Sequence, residues 1–414
     1  MNPVLPKEML SLYNTNKRNR FFAAGRRMLM KSMDKSIYYF ALGHACVDWA
    51  QSAIPALLPY FIANYGLSYQ EAASLVFANV LLSSVLQPLF GYYSDKISLP
   101  WFIPLGPLFC GLSITLIGFS SSYWTIFAAA MVCGLGSALF HPEAALFAGR
   151  IAGARKGQAM STFSVGGNAG FAVGPIVAGF CAYTIGIHSL TLFGVVNASA
   201  AFAIARLLPC MTKSAEAASP QTSRGSSGQR KNDWASFGRL SVTIFARSLG
   251  FTLSNTFIPI FWISVLGATP KQGTMALSLL FTMGALFTYC GGLLADRVGF
   301  VPVLRGAFVI MVPAMFFLVN SETVLFASLL LVPAAIALFL PYSPVVVLGQ
   351  KYLGKNAGFA SGVTLGLTTT IGGVFAPVVG WAADRWGLAA ALQILWIVGA
   401  LGAAASFTLK EPKE

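Results

Sequence analysis

Apolar residues along this chain come in long runs rather than in alternation. Runs of about 20 residues, each long enough to cross a bilayer core, recur from residue 36 to residue 409, broken by short stretches holding Gly, Pro, Asp, Lys and Arg. The pattern predicts twelve helices at 36–61, 69–92, 101–120, 123–149, 158–182, 188–208, 239–266, 272–294, 301–319, 322–349, 356–382 and 388–409. The fold class expected is an all-α membrane protein. Its expected organisation is an N-terminal segment 1–35, a six-helix half 36–208, a linker 209–238, a second six-helix half 239–409 and a tail 410–414.

A short motif repeats in register with these helices. Gly91-Tyr-Tyr-Ser-Asp95-Lys96-Ile-Ser98 is followed by Gly179-Phe-Cys-Ala-Tyr183-Thr184-Ile-Gly186, Gly292-Leu-Leu-Ala-Asp296-Arg297-Val-Gly299 and Gly380-Trp-Ala-Ala-Asp384-Arg385-Trp-Gly387. The steps Gly91 to Gly179 and Gly292 to Gly380 are both 88 residues, and the steps Gly91 to Gly292 and Gly179 to Gly380 are both 201. The shorter step spans three helices, so successive units are inverted in the membrane. The longer step spans six, so the two halves share one orientation.

Composition supports this picture. The chain is 56% hydrophobic and 10% charged, against about 25% charged in soluble domains. The net charge of +14 could mean nucleic acid, but its placement points elsewhere. Lys17, Arg18, Arg20, Arg26, Arg27, Lys31 and Lys35 precede the first helix, and Arg224, Arg230 and Lys231 lie in the linker. With Arg150, Arg155, Lys156, Lys351 and Lys355 they fall on one side of the threaded membrane, where Lys271 and Arg385 are almost alone on the other. This positive-inside bias puts both termini and the linker in the cytoplasm. No nucleic-acid partner is expected. The basic segment 8–35 also holds Phe21, Phe22 and Met28; it is either an interfacial helix or a disordered tail. It precedes the first helix with no small-residue cleavage site, unlike a signal peptide. The six cysteines are scattered with no C-x-x-C pair, so no metal site and no disulfide framework is expected. No G-x-x-x-x-G-K-[ST] loop occurs, which argues against ATP as the energy source.

Charges inside the bilayer are costly and usually functional. Asp48, Glu143 and Arg247 are the charged residues placed well inside spans, with His44 and His141 beside them. His44 and Asp48 are one helical turn apart and share a face. Asp48 is either proton-linked or part of a structural pair. Glu143 either faces the cavity, with His141, or pairs with Arg150. Arg247 either grips an anionic group through two bonds or pairs with an acid of the first half. Gln51, Asn168, Trp49 and Phe251 are the further candidates for ligand contact. In the repeated motif, Gly91 lets helices approach, and Asp95-Lys96 and Asp296-Arg297 either latch one conformation or serve as turn and cap residues.

Twelve spans, a charged linker after the sixth, and G-x-x-x-D-[KR] loops after the second and eighth resemble the major facilitator superfamily. Gly170-Phe-Ala-Val-Gly174-Pro175-Ile-Val-Ala-Gly179 in the fifth span looks like the helix motif of its drug–proton antiporters. His44-Ala-Cys-Val-Asp48, Phe140-His141-Pro142-Glu143 and Gly166-Gly167-Asn168 are similar to its fosmidomycin-resistance branch, whose members are inner-membrane exporters. The tenth span departs, with Lys351 after Gln350 where an acid would be expected. The resemblance implies a monomeric antiporter in a bacterial inner membrane that exports a small anionic or drug-like molecule, such as fosmidomycin, against protons, with no bound cofactor. Import of an organic anion, or ligand reception without transport, remain open on sequence.

Overall fold

The computed structural model describes residues 36–94, 97, 99–151, 156–218 and 232–412. The N-terminal segment 1–35, most of the linker, Asp95 and Lys96 lie outside the described residues.

The twelve expected spans are helices. They are α1 (Ser36–Tyr65), α2 (Tyr69–Ser94), α3 (Phe102–Phe119), α4 (Tyr123–Ile151), α5 (Lys156–Phe180) and α6 (Thr191–Ala218), then α7 (Trp234–Ser264), α8 (Pro270–Val298) and α9 (Phe300–Val319). The tenth span is broken into α10a (Val324–Phe339) and α10b (Tyr342–Tyr352), followed by α11 (Ala357–Trp386) and α12 (Leu388–Ala391 and Ile394–Phe407). Nine described helices are apolar and long enough to span a bilayer on hydropathy alone. Of the three that fall short, α1 and α7 carry Asp48 and Arg247. Polar residues lower hydropathy on the helices that build the site.

Two expectations shift. The tenth span, expected to be continuous over 322–349, breaks at Pro341, whose ring cannot continue the ladder of amide bonds. The linker is shorter than 209–238: α6 runs on through Ala218, and α7 starts at Trp234. There the Asp233 carboxylate accepts the Ser236 amide at 2.9 Å. That amide holds the Asp233 carboxyl below the usual carboxylate range. The cap is therefore intact at neutral pH and lost as pH falls through that range.

The end of the bundle that carries the linker is the linker side, and the other end is the distal side. The halves meet on the distal side. The Phe171 ring of α5 lies 4.9 Å from that of Phe281 on α8. Gly179 abuts Thr274, and Gly380 abuts the backbone of Tyr69 and Gln70, at distances where a Cβ would collide. Asp384, the acid of the fourth motif copy, accepts the amides of Tyr69 (2.7 Å) and Gln70 (2.9 Å) at the start of α2. Toward the linker side α4 and α10b form no packed interface among the described residues. Among the described residues, the close contacts between the halves named here lie toward the distal side.

The distal clasp is one-sided for a physical reason. Tyr183 stands where Asp384 stands in the other half, and it would face the start of α8. That helix begins with Pro270, which has no amide to offer, and Thr269 and Gln272 cap it from within. Asp384→Asn is expected to shift the balance toward a distally open state by about two- to fivefold, the value of a charge at an exposed helix N-terminus. Distances between spin labels on the distal ends of α2 and α11 report it. An unchanged distribution would reduce Asp384 to a local cap.

Candidate functional site

The site is built on α1, α4 and α5. His44 and Asp48 lie one turn apart on α1, with Nε2 of His44 3.2 Å from Asp48 Oδ2. From α4, Nε2 of His141 comes within 3.3 Å of the other carboxylate oxygen, Oδ1. The outer nitrogens are fixed too. Nδ1 of His44 is 2.9 Å from the Phe163 carbonyl of α5, and Nδ1 of His141 is 2.9 Å from the Ser137 carbonyl. A carbonyl only accepts, so hydrogen-bond partners assign a proton to Nδ1 of both rings. Both Nε2 atoms then face Asp48.

This geometry sets what the cluster can hold. Each imidazole–carboxylate contact needs one proton to be a hydrogen bond. With both filled, two imidazolium rings flank one carboxylate and the cluster is a monocation. With one filled it is neutral, and a nitrogen lone pair faces an oxygen lone pair across the other contact. Asp48 is 6% exposed at its side chain and His141 26%, so His141 is the member nearest open space. All three ligand atoms lie within 4.8 Å of one another.

Glycines make the cluster possible. A Cβ on Gly167 would lie 2.5 Å from both Asp48 Oδ2 and His44 Nε2. Gly166, Gly170 and Gly174 press on the α1 backbone at Ala41, Ala45 and Trp49. The small-residue face of α5 thus seats α1, with Pro175 following Gly174 and Gly179 reaching across to α8.

Arg247 lies in the other half, on α7, and is 4% exposed. Its Nε donates to the Leu338 carbonyl at 2.9 Å. That carbonyl is in the last turn of α10a, where the break at Pro341 leaves acceptors free and where the helix dipole favours a cation. The guanidinium carbon sits 5.0 Å from the Tyr342 ring centre and 6.0 Å from that of Phe251. No carboxylate of a described residue pairs with it. Asp48 and Arg247 belong to opposite halves, and the aromatic cluster beside Arg247, Phe251 on Phe281, is met from the first half by Phe171.

Other candidates are placed differently. Trp49 points into the first half: its Nε1 donates to Asn197 at 2.6 Å and its ring packs tilted against Phe193 at 4.2 Å. Glu143 is fully buried and apart from the histidine cluster, its Oε1 accepting the Leu99 amide at 3.0 Å rather than pairing with Arg150. Gln51, one turn beyond Asp48, keeps a buried Nε2 with no partner among the described residues. Asn168 is half-buried and has no hydrogen bond among the described residues. Of the linker-side motif residues, Gly91 lies beside Pro142 of α4, while Asp296 and Arg297 are exposed at the end of α8.

Two further residues emerge from the internal repeat. Residue 300 is the 201-step equivalent of residue 99. Where Glu143 receives the Leu99 amide, the tail residue Glu411 receives those of Phe300 (2.9 Å) and Val301 (2.8 Å). The tail is held there by Arg305, which donates to the Leu409 carbonyl at 2.7 Å, and by the Tyr352 hydroxyl, which donates to that of Lys410 at 2.7 Å. The second half lacks an acid at the position equivalent to Glu143, which is Pro344; the tail supplies one.

Comparison with known proteins agrees with this architecture. The profile of the Major Facilitator Superfamily matches residues 40–377. The chain belongs to the major facilitator superfamily. This superfamily member is 25% identical to the fosmidomycin resistance protein of Escherichia coli (strain K12), over 87% of this chain and 89% of that protein. It is 28% identical to the uncharacterized MFS-type transporter YfnC of Bacillus subtilis (strain 168), over 87% and 89%. Multidrug resistance protein 1 of Bacillus subtilis (strain 168) is 23% identical over 78% of this chain and 82% of its own length. In fold, the chain matches a bacterial homologue of the human lysosomal transporter Spinster with a TM-score of 0.76 at 15% identity, covering 91% of this chain and 97% of that one. As a member of the major facilitator superfamily it is a membrane transporter with drug-resistance-type relatives, not an enzyme.

Proposed function

We propose that this transporter is a proton-coupled antiporter that exports a small anionic or drug-like molecule across a bacterial inner membrane by alternating access. The observation that carries the reading is the pair of buried charged sites: the His44–Asp48–His141 cluster in the first half, and in the second half Arg247, a buried cation with no carboxylate partner among the described residues. Arginine stays charged throughout a cycle, so it suits an anion, while the histidine–aspartate cluster changes its proton count. The positive-inside pattern of lysine and arginine makes the linker side cytoplasmic. In that orientation an exporter loads its substrate from the linker side. The protein acts as a monomer with protons as coupling ion.

The relative in Escherichia coli makes fosmidomycin the first compound to test. In vesicles holding the purified protein, an outward fosmidomycin gradient is expected to draw protons in, and a proton gradient is expected to drive fosmidomycin uphill. Exchange of labelled for unlabelled compound with no response to a pH gradient would leave a transporter without proton coupling. Binding with no exchange at all would point to a receptor.

A further inference from the structure

The tenth span breaks next to the buried arginine, and the residue that restarts it had no place in the sequence-level site. Tyr342 opens α10b directly after Pro341. Its ring lies under the Arg247 guanidinium at 5.0 Å. Tyr342 is 37% exposed, although the arginine stacked on it is only 4% exposed. The arginine stacked on it also neighbours Phe251, whose aromatic cluster is met from the first half by Phe171. Neither the Tyr342 hydroxyl nor the terminal guanidinium nitrogens of Arg247 have a hydrogen-bond partner among the described residues. Two donors of different character therefore stand side by side.

The surroundings are aromatic. Phe251, 6.0 Å from the guanidinium, packs edge-to-face on Phe281 and Phe339 at 6.1 and 5.6 Å. Phe171 reaches Phe281 from the first half at 4.9 Å. Phe281 and Phe339 are buried, whereas Phe171 and Phe251 keep a partly open face. A strongly hydrated ion would gain little from such a wall, since its far side would lose water without gaining a partner. An acid with a flat apolar body would gain at both ends.

We propose that Arg247 and the Tyr342 hydroxyl form a two-point acid site joined to an aromatic shelf of Phe251 and Phe171, and that the substrate is an organic acid whose carboxylate or phosphonate sits directly on an apolar, planar body. This deepens the reading of Arg247 as the anion anchor and rests on it. Tyr342 is the residue that selects between acids, because its hydroxyl takes the oxygen the guanidinium leaves free.

The test compares phenylphosphonate with methylphosphonate by calorimetry on the detergent-purified full chain. Wild type is expected to bind phenylphosphonate about tenfold tighter or more. Tyr342→Phe keeps the ring under the arginine and is expected to weaken phenylphosphonate about tenfold. Phe251→Ala is expected to erase most of the preference between the two ligands, and thermal unfolding without ligand verifies that each variant is folded. Equal binding of the two phosphonates by wild type would overturn the shelf while leaving the anchor, provided Arg247→Ala weakens both. Unchanged binding of phenylphosphonate in Tyr342→Phe would overturn the two-point site. No binding of either ligand to wild type, or indifference of both to Arg247→Ala, would overturn the anchor and the inference together.

Discussion

Asp48→Asn is expected to abolish coupling to protons while leaving substrate exchange in place. Each carboxylate oxygen of Asp48 faces one imidazole Nε2, at 3.2 and 3.3 Å. An asparagine of the same shape can donate from its amide nitrogen to one ring and accept at its oxygen from the other. With Nδ1–H on both rings, the amide contact suits a neutral ring while the oxygen contact needs an imidazolium that no carboxylate now balances, so proton uptake by the cluster is disfavoured. Asp48→Ala would be a poorer test. It strands two histidines in a buried site, and removing one partner of a buried ion pair costs about 3–5 kcal/mol. Accumulation driven by a pH gradient should fall in Asp48→Asn to that of protein-free vesicles, while counterflow without a gradient should persist. A variant that still concentrates substrate under a proton gradient removes Asp48 from the coupling path.

The spacing of residues made part of this site legible. His44 and Asp48 are one turn apart, so a helix puts them on one face whatever surrounds it. Arg247 and Phe251 are related in the same way. Trp49 shows the limit of reading by neighbourhood. It follows Asp48 in the chain, yet one residue is roughly 100° around a helix, and it points at Asn197 and Phe193 instead. The arrival of His141 at Asp48 depends on how α4 sits against α1, and no periodicity within either helix encodes that. Gly166-Gly167 was the hint available, because a Cβ at Gly167 would collide with both His44 and Asp48.

Repetition was the stronger guide to the fold, and it also shows where the halves differ. The 88- and 201-residue steps define four units of three helices. The acids of the motif copies follow the backbone amides they can serve: Asp384 meets two free amides at α2, whereas the equivalent helix start of the other half, α8, begins with proline and its motif copy has Tyr183 in the acid's place. Glu411 was hidden because a short charged tail reads as a solvated end. Its role appears only when its contacts with Phe300 and Val301 are set against the contact of Glu143 with Leu99. Tyr342 was hidden by its setting in a span whose apolar character reads as uniform, although Pro341-Tyr-Ser-Pro344 marks the break.

Arg247→Ala is expected to weaken an anionic substrate by roughly 1.5–3 kcal/mol, the range for hydrogen bonds to charged groups. Arg247→Lys should fall between that variant and wild type. Lysine restores the charge but presents no planar fork, so it cannot hold Leu338 with one nitrogen and the ligand with two others. Two consequences must be kept apart. Losing the 2.9 Å bond from Nε to the Leu338 carbonyl frees an acceptor at the end of α10a, and that lowers stability with or without ligand. Losing the anion contact lowers only the extra stabilisation that ligand brings. The deciding measurement is therefore the ligand-induced rise in unfolding temperature, taken for each variant against its own ligand-free value. A rise in Arg247→Ala equal to that of wild type would leave Arg247 as a helix cap and move the anion site elsewhere. A rise lost in Ala and partly restored in Lys would tie the charge itself to the substrate, since the cap is broken in both.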